Sequence, residues 1–120
     1  MAKTGATGIT RIINAAGYSW LGLKAAYNNE AAFRQELGLA LILTPTALYY
    51  GENYSDKAVL IASLVFILLI EILNSAIEAV VDRFGDEIHP LAGRAKDMGS
   101  AAVFLAFVVA GLVWFAVLSQ

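Results

Sequence analysis

Four polar residues in the middle of the chain have types and spacing suited to acid–base and metal chemistry: Glu71, Asn74, Glu78 and Asp82. At about 100° per residue they share a narrow face of one helix, and Glu78 lies about 10 Å along the axis from Glu71. Glu71 stands inside an apolar run that begins at Ala58, and a carboxylate there costs at least about 2.5 kcal/mol at bilayer depth. The face is either a polar seam between helices or a working site, and its composition favours the site.

Further charged residues follow this face. Glu87 and His89 come first, and Arg94, Lys96 and Asp97 precede the next apolar run. Acids that can hold a metal therefore lie near bases that can hold phosphate, as phosphoryl transfer requires. The chain contains neither a P-loop nor a GxGxxG motif, so sequence motifs alone do not identify a kinase. His89 has no second His or Cys nearby, and a zinc site is not expected.

The composition is that of a membrane protein. Hydrophobic residues make up 59% of the 120 residues, charged residues make up 15%, and the mean hydropathy is +0.68. This length allows a single domain, residues 1–120. The absence of cysteine excludes disulfides and thiolate catalysis. The net charge of −2 decides little. No nucleic-acid partner is expected. The segment MAKTGATGITR has no apolar core, so no cleavable signal is expected.

Helices must position these residues, and the hydrophobic pattern predicts an all-α membrane protein. An amphipathic helix over about 8–35, with bases, Trp and Tyr, suits the membrane interface, and a soluble partner-binding helix is the alternative. Three transmembrane spans are predicted at about 36–51, 57–82 and 98–118. The uncharged part of the first span, residues 37–50, extends only about 21 Å as helix, so its flanks must contribute.

Local signals predict where the helices begin and end. Ser55 or Asp56 is a plausible N-cap for the second span. Gly85 is a natural helix end, and Pro90 suits the first turn of the next helix. The Lys and Arg residues are unevenly distributed. Seven of the eight lie on one side of the predicted membrane spans, and only Lys57 lies on the other side, at the turn between the first and second spans. The positive-inside rule then predicts a cytoplasmic N-terminus.

Three membrane spans are too few to enclose a buried acid such as Glu71 on all sides, so we expect the chain to form a homo-oligomer. A surface of small residues suits close helix contact; its members are Gly99, Ser100, Ala101 and Ala102.

The chain resembles the prokaryotic integral-membrane diacylglycerol kinases, a family that also includes undecaprenol kinases. The resemblance is carried by ITRIINAAGYSW, NNEAAFRQE, EILNSAIEAVVDR and GRAKDMGSAA, in this order. It covers nearly the whole chain from about Gly8 and is clearest in residues 8–36 and 71–102. It implies a homotrimer with sites shared between subunits, in the bacterial cytoplasmic (inner) membrane. It also implies ATP- and Mg²⁺-dependent phosphorylation of the primary hydroxyl of diacylglycerol, giving phosphatidic acid.

The same resemblance implies roles for individual residues. Glu71 would be the general base toward the lipid hydroxyl, with Asn74 positioning the reacting groups, and Glu30 and Glu78 would be the metal ligands. The positions expected around ATP are Arg11, Tyr18, Glu30, Glu78, Glu87, His89, Lys96 and Asp97. Those expected around the lipid substrate are Ala16, Trp20, Asn28, Glu71 and Ser100. Asp82 and Arg94 are expected to hold the cytoplasmic helix ends together.

Other interpretations remain open. Tyr18 also suits an aromatic belt, Arg11 and Lys96 suit lipid headgroups, and Asp97 suits a cap or an ion pair. An undecaprenol kinase would perform the same chemistry on an isoprenoid alcohol. A proton- or cation-conducting oligomer would also use an intramembrane glutamate, although it leaves the charged residues around His89 unexplained. A catalytically silent assembly protein is a third class.

Overall fold

The computed structural model describes residues 7–85 and 87–120, and in these residues the chain forms four α-helices and no strand. In chain order they are α1 (Gly8–Asn29), α2 (Ala31–Tyr50), α3 (Tyr54–Asp82) and α4 (Pro90–Leu118). The predicted all-α class is confirmed. Residues 1–6, which belong to the segment for which no cleavable signal is expected, lie outside the described residues, as does residue 86.

The helix expected over 8–35 is divided in the structure. Helix α1 ends at Asn29, and Glu30 is extended at φ −118° and ψ 107°. Arg34 Nη1 donates a 2.7 Å hydrogen bond back to the Tyr27 carbonyl, and the Phe33 ring is buried just after the break. These contacts stabilise the junction. Residues 31–35 therefore belong to the first turns of α2, a boundary that hydrophobic periodicity does not reveal.

Two helices in the described part of the chain are long and apolar enough to cross a membrane. They are α3 and α4, each of 29 residues and each containing an apolar stretch of 18 residues with at most two charged side chains. The predicted spans 57–82 and 98–118 lie within them and share their last residues. Helix α2 has 20 residues and continues through Pro45. At 1.5 Å per residue it is about 30 Å long.

The sequence signals for the helix ends are partly confirmed. Gly85 has a positive φ of 73° just beyond α3, and Pro90 is the first residue of α4. The N-cap prediction for α3 is wrong, because Asn53 caps this helix by accepting a 2.8 Å hydrogen bond from the Asp56 backbone. An asparagine amide oxygen reaches the free N–H groups of a first turn as well as a serine hydroxyl does.

The core lies where α3 packs between α2 and α4. Ile67 of α3 is buried with Ala106 and Ala110 of α4, which are small enough to let the two backbones approach. Near the opposite end of the pair from Glu78, Trp114 Nε1 donates a 2.9 Å hydrogen bond to Ser63 Oγ. The outer faces of α3 and α4 expose large apolar side chains, which suits lipid or a neighbouring protein surface.

Candidate functional site

An asparagine amide joins the two carboxylates on the polar face of α3. Asn74 Nδ2 donates to Glu71 Oε2 at 3.4 Å and to Glu78 Oε1 at 3.3 Å. The three residues occupy positions i, i+3 and i+7, which place their side chains above one another on a helix. Glu71 is only 4% exposed, whereas Asn74 and Glu78 are half-buried. Three of the four residues predicted to share this face therefore form a connected polar group whose burial decreases toward the end of α3, and the fourth, Asp82, pairs with Lys96 instead.

A second acid, Glu36 of α2, lies against Glu71. The two carboxyl groups are within hydrogen-bonding reach of each other. Glu36 Oε2 is buried and, apart from the Glu71 carboxyl group, has no hydrogen-bond partner within residues 7–85 and 87–120. Two carboxylates in contact repel each other, so a shared proton is the favourable arrangement. A pair of this kind can hold one oxygen as a proton acceptor while the neighbouring acid donates to it.

Sequence reasoning did not assign Glu36 a role. The available signal was its position as the last charge before the uncharged run 37–50. A carboxylate at the entry to an apolar segment needs a partner for the same reason that Glu71 does.

The α4 backbone closes the other side of the group. Gly99 is buried, and a Cβ atom placed on it would collide with Asn74 Oδ1. The small-residue surface predicted at Gly99–Ala102 is thus divided: Gly99 faces α3 of its own chain, whereas Ser100, Ala101 and Ala102 are exposed.

An ion pair joins the ends of α3 and α4 beside this group. Lys96 Nζ lies 2.7 Å from Asp82 Oδ1. Asp82 therefore holds the helix ends together as expected, with Lys96 as its partner. Lys96 precedes the apolar run 98–118, and its hydrogen bond to Asp82 and the charges of Asp82 and Glu78 raise its pKa above the ordinary value, against the opposing effect of burial. A positive charge is thus maintained beside Glu78.

Glu87 and His89 lie together at a cavity of about 340 Å³ between the end of α3 and the start of α4. The volume is within the range of small-molecule sites. His89 also caps α4, because its Nδ1 accepts a 3.1 Å hydrogen bond from the Leu91 backbone. The other lining residues are apolar: Val81, Phe84, Leu91, Ala92 and Ala95.

The other expected site residues are not connected to Glu71 within this chain. In the part of the chain that the structure describes, no hydrogen bond or ion pair joins them to the group around Asn74; they are Arg11, Ala16, Tyr18, Trp20, Asn28, Asp97 and Ser100. Tyr18 is half-buried and the rest are exposed. Trp20 lines an apolar groove of about 380 Å³ between α1 and α2, together with Phe33 and Leu37.

The two expected metal ligands differ in their surroundings. Glu30 is half-buried at the junction of α1 and α2, and Glu78 is held by Asn74 on α3. Among the described residues, no three His, Cys, Asp or Glu side chains are arranged to hold a metal ion. Mg²⁺ commonly takes one or two protein carboxylates together with water and phosphate oxygens. The donor types of Glu30 and Glu78 fit an ion that arrives with a nucleotide.

Comparison with known proteins gives a consistent assignment. The sequence profile of the family described as "Prokaryotic diacylglycerol kinase" matches residues 17–118. A diacylglycerol kinase of Escherichia coli K12 is 56% identical over 108 residues, which cover 90% of this chain and 88% of that protein. One from Haemophilus influenzae is 49% identical over 118 residues, or 98% of each chain. One from Pseudomonas aeruginosa is 48% identical over 114 residues, or 95% of this chain and 93% of that protein.

Proposed function

The chain belongs to the prokaryotic diacylglycerol kinase family, and we propose that it transfers the γ-phosphoryl group of ATP to the primary hydroxyl of diacylglycerol, giving phosphatidic acid. The observation that carries the chemistry is the Asn74 amide, which joins buried Glu71 to the shallower Glu78. One acid is placed for a lipid and the other for a water-borne nucleotide.

Glu71 is the proton acceptor. The lipid hydroxyl oxygen attacks the γ-phosphorus, the bond from this phosphorus to the β,γ-bridging oxygen breaks, and ADP leaves. The hydroxyl proton passes to the Glu71 carboxylate. General-base catalysis of this kind contributes about 10²–10⁴-fold in rate. Because Asn74 donates to one Glu71 oxygen and Glu36 lies against the same carboxyl group, the orientation of the base is fixed before substrate arrives.

Glu30 and Glu78 would hold Mg²⁺. When bound, the ion offsets phosphate charge and orients the γ-phosphoryl group. Asn74 holds one oxygen of Glu78 in position, and Lys96 supplies a positive charge close to it. The cavity at Glu87 and His89 lies between the end of α3 and the start of α4, and we assign part of the nucleotide to it.

The remaining site residues reach the group from another subunit. Most of them lie on α1, where all but the half-buried Tyr18 are exposed within one chain; the α1 set is Arg11, Ala16, Tyr18, Trp20 and Asn28. A homotrimer brings α1 of one subunit to α3 of its neighbour, so that Arg11 and Tyr18 meet ATP while Ala16, Trp20 and Asn28 meet the lipid. Asp97 and Ser100 of α4 are also exposed. We assign Asp97 to the nucleotide side of the site and Ser100 to the lipid side. The exposed apolar faces of α3 and α4 supply the interface.

Helix α2 also crosses the membrane, as the first of three spans in chain order, and its ends lie near the two interfaces. Its length of about 30 Å matches the hydrocarbon thickness. With seven of eight bases on one side, the N-terminus lies in the cytoplasm and the protein is multi-pass in the bacterial inner membrane. Cysteines introduced at Ala92 and at Asn53 should react with an impermeant reagent from opposite sides of sealed vesicles. Labelling of both from one side would contradict this topology.

The reaction is tested with purified protein in detergent, γ-labelled ATP, Mg²⁺ and a short-chain diacylglycerol. We expect labelled phosphatidic acid, formed only with Mg²⁺ present. A parallel reaction with undecaprenol separates the two lipid classes, and faster labelling of undecaprenol would reassign the substrate. A protein that labels neither lipid yet passes protons in liposomes would be a conducting oligomer.

A further inference from the structure

The α4 backbone approaches the side chain of Asn74 at one glycine. An ideal Cβ on Gly99 would collide with Asn74 Oδ1 and would lie 3.3 Å from Asn74 Cγ. The other two glycines of α4 are different, because a Cβ on Gly93 or Gly111 meets nothing within 4 Å. Glycine inside a helix is unfavourable relative to alanine, so its presence at Gly99 calls for a local reason. The Asn74 side chain supplies that reason.

The two ends of the Asn74 amide have opposite surroundings. Nδ2 donates to Glu71 and Glu78, and this assignment is the one that a pair of acceptor carboxylates requires. Oδ1 is buried and has no hydrogen-bond partner in the described chain. It faces Gly99, where the α-hydrogen that replaces a Cβ points toward it, as in Cα–H···O contacts between close helices.

We infer that Gly99 is a positioning residue for the transfer reaction, because only an absent side chain leaves room for the amide that holds Glu71 and Glu78 together. A methyl group at this position would collide with Oδ1 and force the amide to rotate away from both carboxylates. The catalytic consequence rests on the proposed function, whereas the packing of Asn74 against Gly99 does not depend on it.

A double-mutant cycle tests the inference on the full chain in detergent. The variants are Gly99→Ala, Asn74→Ala and the double variant, and Gly111→Ala is the matched control in the same helix. The turnover number with ATP-Mg²⁺ and short-chain diacylglycerol and the midpoint of thermal unfolding are measured for each. Misplacing reacting groups by about 1 Å can reduce rate by about 100-fold, so we expect Gly99→Ala to lower turnover by about 10- to 100-fold. Gly111→Ala should match the parent chain.

Comparing the effect of Gly99→Ala in the parent chain and in the Asn74→Ala variant separates a role in positioning the amide from a general effect on helix packing. With the amide removed, the added methyl group has space, so Gly99→Ala should change turnover and unfolding midpoint by little beyond the effect of Asn74→Ala alone. If Gly99→Ala prevents folding, the double variant should fold again. Equal penalties in both backgrounds, full turnover in Gly99→Ala, or an unfolded double variant would each overturn the inference. A parent chain that phosphorylates no diacylglycerol would refute the proposed function, while the unfolding cycle would still decide whether Gly99 accommodates Asn74.

Discussion

Lys96 Nζ lies 2.7 Å from Asp82 Oδ1, so the start of α4 is joined to the last residue of α3. The side chains are 46% and 62% exposed, and ion pairs of this exposure contribute about 0–1 kcal/mol to stability. The contact matters mainly for placement. It holds a cation beside Glu78, near the C-terminal end of the polar face of α3.

Replacing the two partners should therefore have different effects. We expect Asp82→Asn to change the free energy of unfolding by less than about 1 kcal/mol. Lys96→Met should raise the KM for ATP, because a charge that offsets the phosphates is lost. Denaturant unfolding and initial rates at varied ATP measure the two effects. An unchanged KM for ATP in Lys96→Met would remove this lysine from the nucleotide site.

The hydrogen bond from Trp114 to Ser63 predicts a stability effect remote from the reaction. Ser63→Ala leaves the half-buried indole N–H without its acceptor, and because an unsatisfied buried donor costs about 1–3 kcal/mol, we expect a loss near the lower end of that range. Ser119→Ala is the control, since Ser119 is exposed and bonds only to its own helix. Unfolding in a mixed-detergent titration should show the loss for Ser63→Ala alone. Equal stability of the two variants would contradict a structural role for this bond.

The pairing of Glu36 with Glu71 predicts that a donor is needed at position 36. Glu36→Gln keeps an N–H donor beside the base, so it should retain most of the turnover. Glu36→Leu removes the donor and leaves buried Glu71 with less support, so turnover should fall more steeply. Rates for both variants are compared at equal protein concentration, after oligomer size is checked. Similar turnover in Glu36→Leu and the parent chain would show that this acid is dispensable.

The assignment of Glu30 and Glu78 predicts a change in metal requirement. Either residue changed to Gln should raise the Mg²⁺ concentration needed for half-maximal rate, because a neutral amide is a weaker ligand than a carboxylate. Glu52→Gln, in the polar turn between α2 and α3, is the control. Titration of Mg²⁺ at fixed ATP gives the measurement. Unchanged titrations in both variants would exclude these glutamates from the metal site.

Much of the fold was predictable because the signals are local. The apolar runs together with Gly85 and Pro90 locate the C-terminal end of α3 and the beginning of α4 from sequence, whereas α3 begins at Tyr54, before the predicted start of the span. The break at Glu30 was not predictable, since one extended residue between two helices scarcely alters the hydrophobic pattern and the contacts that stabilise it are tertiary.

The candidate site was predictable only along one helix. Glu71, Asn74 and Glu78 follow from the helical repeat, so spacing alone places them on one face. The contributions of Glu36 and Gly99 come from α2 and α4. Which residues of a neighbouring helix meet this face depends on the rotation and register of packing, and periodicity does not fix either quantity.

The central claim is that Glu71 takes the proton of the lipid hydroxyl. Glu71→Gln preserves the size of the side chain and removes the base, and Asn74 can still donate to the amide oxygen. The most direct measurement is the single-turnover rate of phosphatidic acid formation by this variant, with ATP-Mg²⁺ binding and oligomer size measured on the same sample. We predict normal assembly, nearly normal nucleotide binding and a rate lowered by at least about 10²-fold. A rate close to that of the parent chain, or a loss explained wholly by failed assembly, would contradict the assignment and leave Glu71 as an interhelical hydrogen-bonding residue.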